Sequence, residues 1–152
     1  MLYNKLKQAG YSRVVKETAA TVQVRAAVHA NQTIALARAA GQAVTLPKAT
    51  GSGAKYKFVV TTAITSNSTT IKVPDADTTF IGNAVAFQDG GDTMVGFEAG
   101  ATADTVTLDG TTLGGLAGHL VEVEDVDTNV FFVRSMGAAT GSEATPFSAT
   151  VS

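Results

Sequence analysis

The segment Val44–Val60, V-T-L-P-K-A-T-G-S-G-A-K-Y-K-F-V-V, constrains the fold more than any other stretch of the chain. A short run closes at Pro47, and Gly51-Ser52-Gly53 forms a turn free to take positive φ. A second run then sets Tyr56, Phe58 and Val60 on one face and Lys55, Lys57 and Val59 on the other. Period two bounded by turn residues is the signature of a half-buried strand. The unit recurs. T-I-A-L-A-R from Thr33 places Ile34 and Leu36 on one face, and T-T-I-K-V follows the turn Ser66-Asn67-Ser68. Ala84–Phe87 and Thr93–Phe97 flank Q-D-G-G-D, a hairpin signal, and Thr105–Leu108 runs into Asp109-Gly110. The strongest hairpin joins H-L-V-E-V-E-D-V to V-F-F-V-R-S-M through Asp127-Thr128-Asn129. In its first strand Val121, Val123 and Asp125 alternate with Glu122 and Glu124, while Leu120 fits neither face cleanly. A last strand is expected within Phe147–Val151.

Strands at this spacing predict an all-β protein, a single β-sandwich or barrel-like domain, covering residues 17–152. Residues 1–16 read as an N-terminal arm. Leu2 and Leu6 lie four apart, and Gly10 ends a helical turn too short to hold alone. Between arm and domain, T-V-Q-V-R alternates as a strand would, with an Ala-rich helix the alternative for Val14–Val28.

No apolar run approaches the roughly 18–20 residues of a membrane helix, and no apolar stretch follows the N-terminal lysines as a secretory signal requires. The chain has no Cys, which removes disulfides and thiolate chemistry. Its net charge of −2 conceals a dipole. Residues 1–60 carry nine Lys and Arg against Glu17 alone, and residues 61–152 carry Lys72 and Arg134 against twelve acids. Such a chain pairs front to back, within a copy or between copies, or offers its front half to an acidic partner. The basic residues are spaced and not interleaved with aromatics, which argues against nucleic acid.

Catalytic signals are weak. His29 and His119 are the only histidines, and no G-x-S-x-G elbow or Walker A loop is present. His119, after Gly118 at a strand start, reads as a strand-end or interface residue. Asp75 with Asp77, and Asp89 with Asp92, are pairs that would suit calcium, but turn aspartates ordinarily bond their own backbone. No enzyme, cofactor or metal site is expected. Glu122 and Glu124 share a strand face and call for cations from the basic half of the same or a neighbouring chain, so Lys55, Lys57, Glu122 and Glu124, together with Phe147, are the candidate subunit-interface residues. Phe80, Phe87, Phe131 and Phe147 are the aromatics expected to pack a core or a copy-to-copy contact.

Four stretches together carry a resemblance: T-I-A-L-A-R-A-A-G-Q-A-V-T-L-P-K-A-T-G-S-G-A-K-Y-K-F-V-V from Thr33, T-S-N-S-T-T-I-K-V from Thr65, G-T-T-L-G-G-L-A-G-H-L-V-E-V-E-D-V from Gly110, and A-T-G-S-E-A-T-P-F-S-A-T-V from Ala139. Over about residues 30–152 the chain resembles the head decoration, or capsid cement, proteins of tailed bacteriophages. Phe131 departs from the pattern, which has Trp there, and T-L-P-A-A-T-G-like runs also occur in phage fibre and tail-spike modules. The resemblance implies a non-enzymatic structural protein of the virion on the outer capsid surface. Its partners would be the major capsid protein and itself as a homotrimer at three-fold positions, with neither nucleic acid nor membrane. The capsid contact would fall to the arm, through Leu2, Tyr3, Lys5, Lys7, Tyr11, Arg13 and Lys16. The competing reading is a receptor- or carbohydrate-binding module of a fibre or head spike, lowered by the scarcity of aromatics and absence of Trp.

Overall fold

The computed structural model describes residues 13–88 and 93–152. Two mixed sheets pack face to face, as the alternating runs require. In chain order the strands are β1 (Val14–Glu17), β2 (Thr21–Gln23), β3 (Gln32–Leu36), β4 (Ala43–Thr45), β5 (Lys55–Val60), β6 (Thr69–Lys72), β7 (Thr79–Gln88), β8 (Met94–Glu98), β9 (Thr105–Leu108), β10 (Leu120–Asp127), β11 (Val130–Ala139) and β12 (Phe147–Ser148), with a one-turn helix α1 (Ala26–His29) after β2. The larger sheet has the order β1-β3-β5-β10-β11-β7-β8 and the smaller β12-β9-β6-β4-β2.

The first six strands alternate between the sheets. β1, β3 and β5 pair in parallel in one, and β2, β4 and β6 pair in parallel in the other. The chain therefore coils, each turn crossing the core and returning one strand further along. Sequence periodicity marks the strands but not this winding, because hairpin and coil share the same alternation. From β7 onward hairpins take over: β7 pairs antiparallel with β8, and β10 with β11. Asn129, at φ 60°, makes the tight β10–β11 turn, a conformation that asparagine tolerates better than most residues.

The core fills the space between the sheets. Ile34, Leu36, Tyr56, Phe58, Val60, Phe80, Val121, Val123, Phe131 and Val133 come from the larger sheet, and Val22, Val44, Ile71, Val106 and Leu108 from the smaller. Phe80 and Phe131 lie on neighbouring parallel strands with ring centroids 6.3 Å apart and planes tilted by 47°, a favourable aromatic geometry. Gly82 is the residue that lets β7 and β11 approach. At φ 140° its Cβ would lie 1.9 Å from the Val133 carbonyl oxygen.

Several expectations are corrected. The arm boundary at residue 16 cuts a strand. Val14–Lys16 belong to β1 and pair with Thr33–Ala35, so Lys16 is an exposed residue of a sheet edge rather than of a free arm. Phe147 is buried and packs in the core, opposite Val106 in the β12–β9 ladder, rather than presenting its ring on a surface. Phe87 is the reverse case: of the two expectations, core or copy-to-copy contact, its exposure excludes the core. The last strand stops at Ser148, and the Ala-rich alternative contributes only the turn Ala26–His29. Leu2, Tyr3, Lys5, Lys7, Tyr11, Asp89 and Asp92 lie outside the described residues.

Candidate interaction surface

Three features account for most of the polar side chains singled out by sequence. The first is a clasp built on Asp125. The strand alternation of β10 turns this carboxylate toward the core side, where it is buried. The loop Thr50-Gly51-Ser52 wraps it. The backbone N–H groups of Thr50, Gly51 and Ser52 donate to it at 2.9, 2.7 and 3.2 Å, and the Ser52 hydroxyl at 2.6 Å. Gly53 N–H donates to the Asp125 carbonyl, and Asp125 N–H to the Ala54 carbonyl. Gly51 and Gly53, at φ 76° and 73°, give the loop its curl. Burial pushes the Asp125 carboxyl up, but the Ser52 hydroxyl and the three backbone N–H groups outweigh it and hold the acid below the usual carboxylate range. The Gly-Ser turn that reads in sequence as a flexible link is thus a fixed anion cradle, filled by the protein's own aspartate.

The second is His119. It is buried, its Nδ1 accepts the Gly115 N–H at 3.1 Å, and its Nε2 donates to the Ser135 hydroxyl at 2.9 Å. Gly114 and Gly137 close on the ring: a Cβ on Gly137 would sit 2.2 Å from Nδ1. Burial lowers its pKa to about 4, so the ring is neutral at pH 7. His119 sits immediately before β10, at a strand start as its sequence position suggests, but its ring is packed into the interior rather than offered to an interface. His29 is likewise buried. Its Nδ1 accepts the Arg25 N–H at 3.0 Å and its Nε2 faces Glu17 at 3.1 Å, tying α1 to β1. Asp75 accepts the Thr78 hydroxyl at 2.7 Å and pairs with Lys48, and Asp109 holds its own turn through Thr111, Thr112 and Leu113. Among the described residues no group of three or more His, Asp or Glu is arranged to hold a metal ion.

The third is the outer face of the larger sheet, where strand register aligns side chains in rows. One row reads Lys55–Glu124–Phe132–Ile81. The next reads Val14–Thr33–Lys57–Glu122–Arg134–Asn83–Glu98 and crosses all seven strands. The third is Lys16–Ala35–Val59–Leu120–Met136–Val85–Gly96, continued at the far end by Ala138–Phe87–Met94. Four expected residues therefore do come together: Lys55 and Lys57 on β5 face Glu124 and Glu122 on β10. Lys55 Nζ lies 3.6 Å from Glu124. Among the described residues Lys57 and Glu122 form no ion pair, and the Arg134 guanidinium instead sits over the Phe132 ring, 5.7 Å from its centroid. A shallow groove of about 200 Å³ runs between these side chains.

Sequence reasoning singled out only Phe87 from the apolar half of this face. Ile81, Phe87, Met94 and Met136 are 50%, 38%, 68% and 41% exposed, and all point outward with Leu120 and Val85. Leu120 shares a row with Met136 of the hairpin partner and with Val59, which lies far back in the chain. The one available signal was alternation in V-F-F-V-R-S-M, where every second residue, Phe132, Arg134 and Met136, is too large for an idle position.

No known protein family matches the chain, and no curated protein or solved structure is significantly similar to it.

Proposed function

We propose that this chain is a non-enzymatic structural virion protein that decorates the outer surface of a tailed-phage capsid and stabilises it by clamping adjacent major coat subunits. The observation that carries the reading is the resemblance spread over residues 30–152, in four stretches that fall in both sheets and in the closing segment. The architecture is compatible with it. The conspicuous buried polar groups Asp125 and His119 are consumed in holding the fold, and a wide sheet face is left open. The proposed coat contact runs through Leu2, Tyr3, Lys5, Lys7, Tyr11, Arg13 and Lys16, the basic end that would suit an acidic coat surface. Many weak copies then act together on one shell.

Copy number per purified particle, counted against the major coat protein, tests the reading. Hundreds of copies in simple ratio to coat subunits support decoration. A few copies per particle, or none, refute it. Removal of residues 1–12, stopping short of β1, should abolish capsid binding and leave the sandwich folded. Retained binding would move the contact elsewhere. The groove beside Phe132, with Glu122, Glu124 and Arg134 around a half-buried ring, favours a second reading as a glycan-binding module of a fibre or spike. Glycan binding lost in Phe132→Ala would select that reading.

A further inference from the structure

We infer that the outer face of the larger sheet is covered by a second copy of this chain, stacked on it about a two-fold axis that runs along the strands between β10 and β11. The inference stands apart from the capsid reading, and its two-fold pairing replaces the three-fold association that the resemblance implies.

Two of the three rows described above are self-complementary about that line, and in the other the Lys55–Glu124 pair lies over Phe132 and Ile81 of the second copy. A two-fold parallel to the strands keeps each row at its own level and reverses its order. Glu122 on β10 then lies over Arg134 of the second copy, and Arg134 over its Glu122. In the apolar row Leu120 meets Met136, and Val59 meets Val85. In the charged row Lys57 meets the carboxamide of Asn83. Both charges nearest the axis in that row, Glu122 and Arg134, thus gain an opposite partner, and Glu122 has no ion pair among the described residues of its own chain. The exposed Met136 and the half-buried Leu120 and Val85 lose water together.

Size is sufficient. Six strands overlap in this stack, about 29 Å across at the usual spacing, and three rows with their side chains extend about 20 Å along them, so about 1,100 Å² is covered over both copies. That is the scale of a specific but reversible contact. Parallel strand pairs, which β1-β3-β5 and β11-β7 are, also ordinarily have both faces covered, and here one face lacks a layer.

Sedimentation velocity on the full chain, from about 1 to about 200 µM, provides the test. The expected result is a concentration-dependent dimer. Glu122→Arg and Arg134→Glu should each weaken it at least tenfold, because each sets like charges across the axis. An equimolar mixture of the two variants should dimerise as well as the unmodified chain, since both contacts are then opposite in sign. That rescue also shows that neither variant had merely failed to fold. A monomer at the highest concentration, an assembly of any order indifferent to both reversals, or a mixture no better than its components would each overturn the inference.

Discussion

Replacing Asp125 by Asn tests whether the clasp, rather than the strand pairing around it, fixes the Thr50–Ser52 loop. The substitution keeps shape and removes charge. The carboxylate receives three backbone N–H groups and the Ser52 hydroxyl, the shortest of these contacts being 2.6 and 2.7 Å. An amide offers one oxygen to these donors and turns an NH2 toward the rest. Hydrogen bonds to a charged group contribute about 1.5–3 kcal/mol each. The loop residues Thr50, Gly51 and Ser52 are exposed, so water can replace part of what is lost. Counting only the two shortest contacts at the lower figure gives about 3 kcal/mol of destabilisation. The effect must also depend on pH. Because the folded carboxyl titrates below its unfolded value near about 3.9, its contribution is complete above that pH and disappears as pH falls through the folded pKa. Urea unfolding of both proteins at pH 7 and at about pH 3 should show the full gap at the first and a narrowed gap at the second, with unchanged m-values. A difference under about 0.5 kcal/mol at pH 7, or one as large at pH 3, would refute the clasp.

His119 provides a second pH signature in a different window. Its folded pKa of about 4 lies below the usual 6.5, so its contribution is complete above about pH 6.5 and declines toward pH 4, at up to about 1.4 kcal/mol per pH unit. A ring resonance still neutral at pH 5 by NMR is expected, and titration near 6.5 would contradict it. Gly137→Ala drives a Cβ into that ring and should cost about 2 kcal/mol or more in urea unfolding. Gly82→Ala meets the Val133 backbone at a positive φ and should prevent stable folding, read as loss of a cooperative transition; a wild-type midpoint would refute the close approach of β7 and β11. The exposed pair Lys55–Glu124 should give a coupling under about 1 kcal/mol in a double-mutant cycle, and Phe131→Ala should cost about 3–5 kcal/mol where Phe87→Ala costs little.

Alternation and turn chemistry along the chain determine that it is an all-β protein and where most of its strands fall. They also determine which side chains form the core: Tyr56, Phe58 and Val60 on β5, and Val121 and Val123 on β10. These follow from local rules, because a strand's two faces are read off neighbours two residues apart. The hairpin β10–β11 was legible for the same reason, since its turn is encoded next to its strands. Parallel coiling of β1–β6 was not, because a strand's partner in a coil lies a full circuit away and leaves no local mark. Alternation already puts Asp125 on the inward face with Val121 and Val123, and only packing shows what it meets there, a loop some seventy residues earlier. Register across seven strands likewise turned scattered residues such as Leu120, Met136 and Val85 into one row. Sequence decides what each strand presents on its two faces; tertiary structure decides which strands lie side by side, and a surface belongs to the sheet rather than to any one strand.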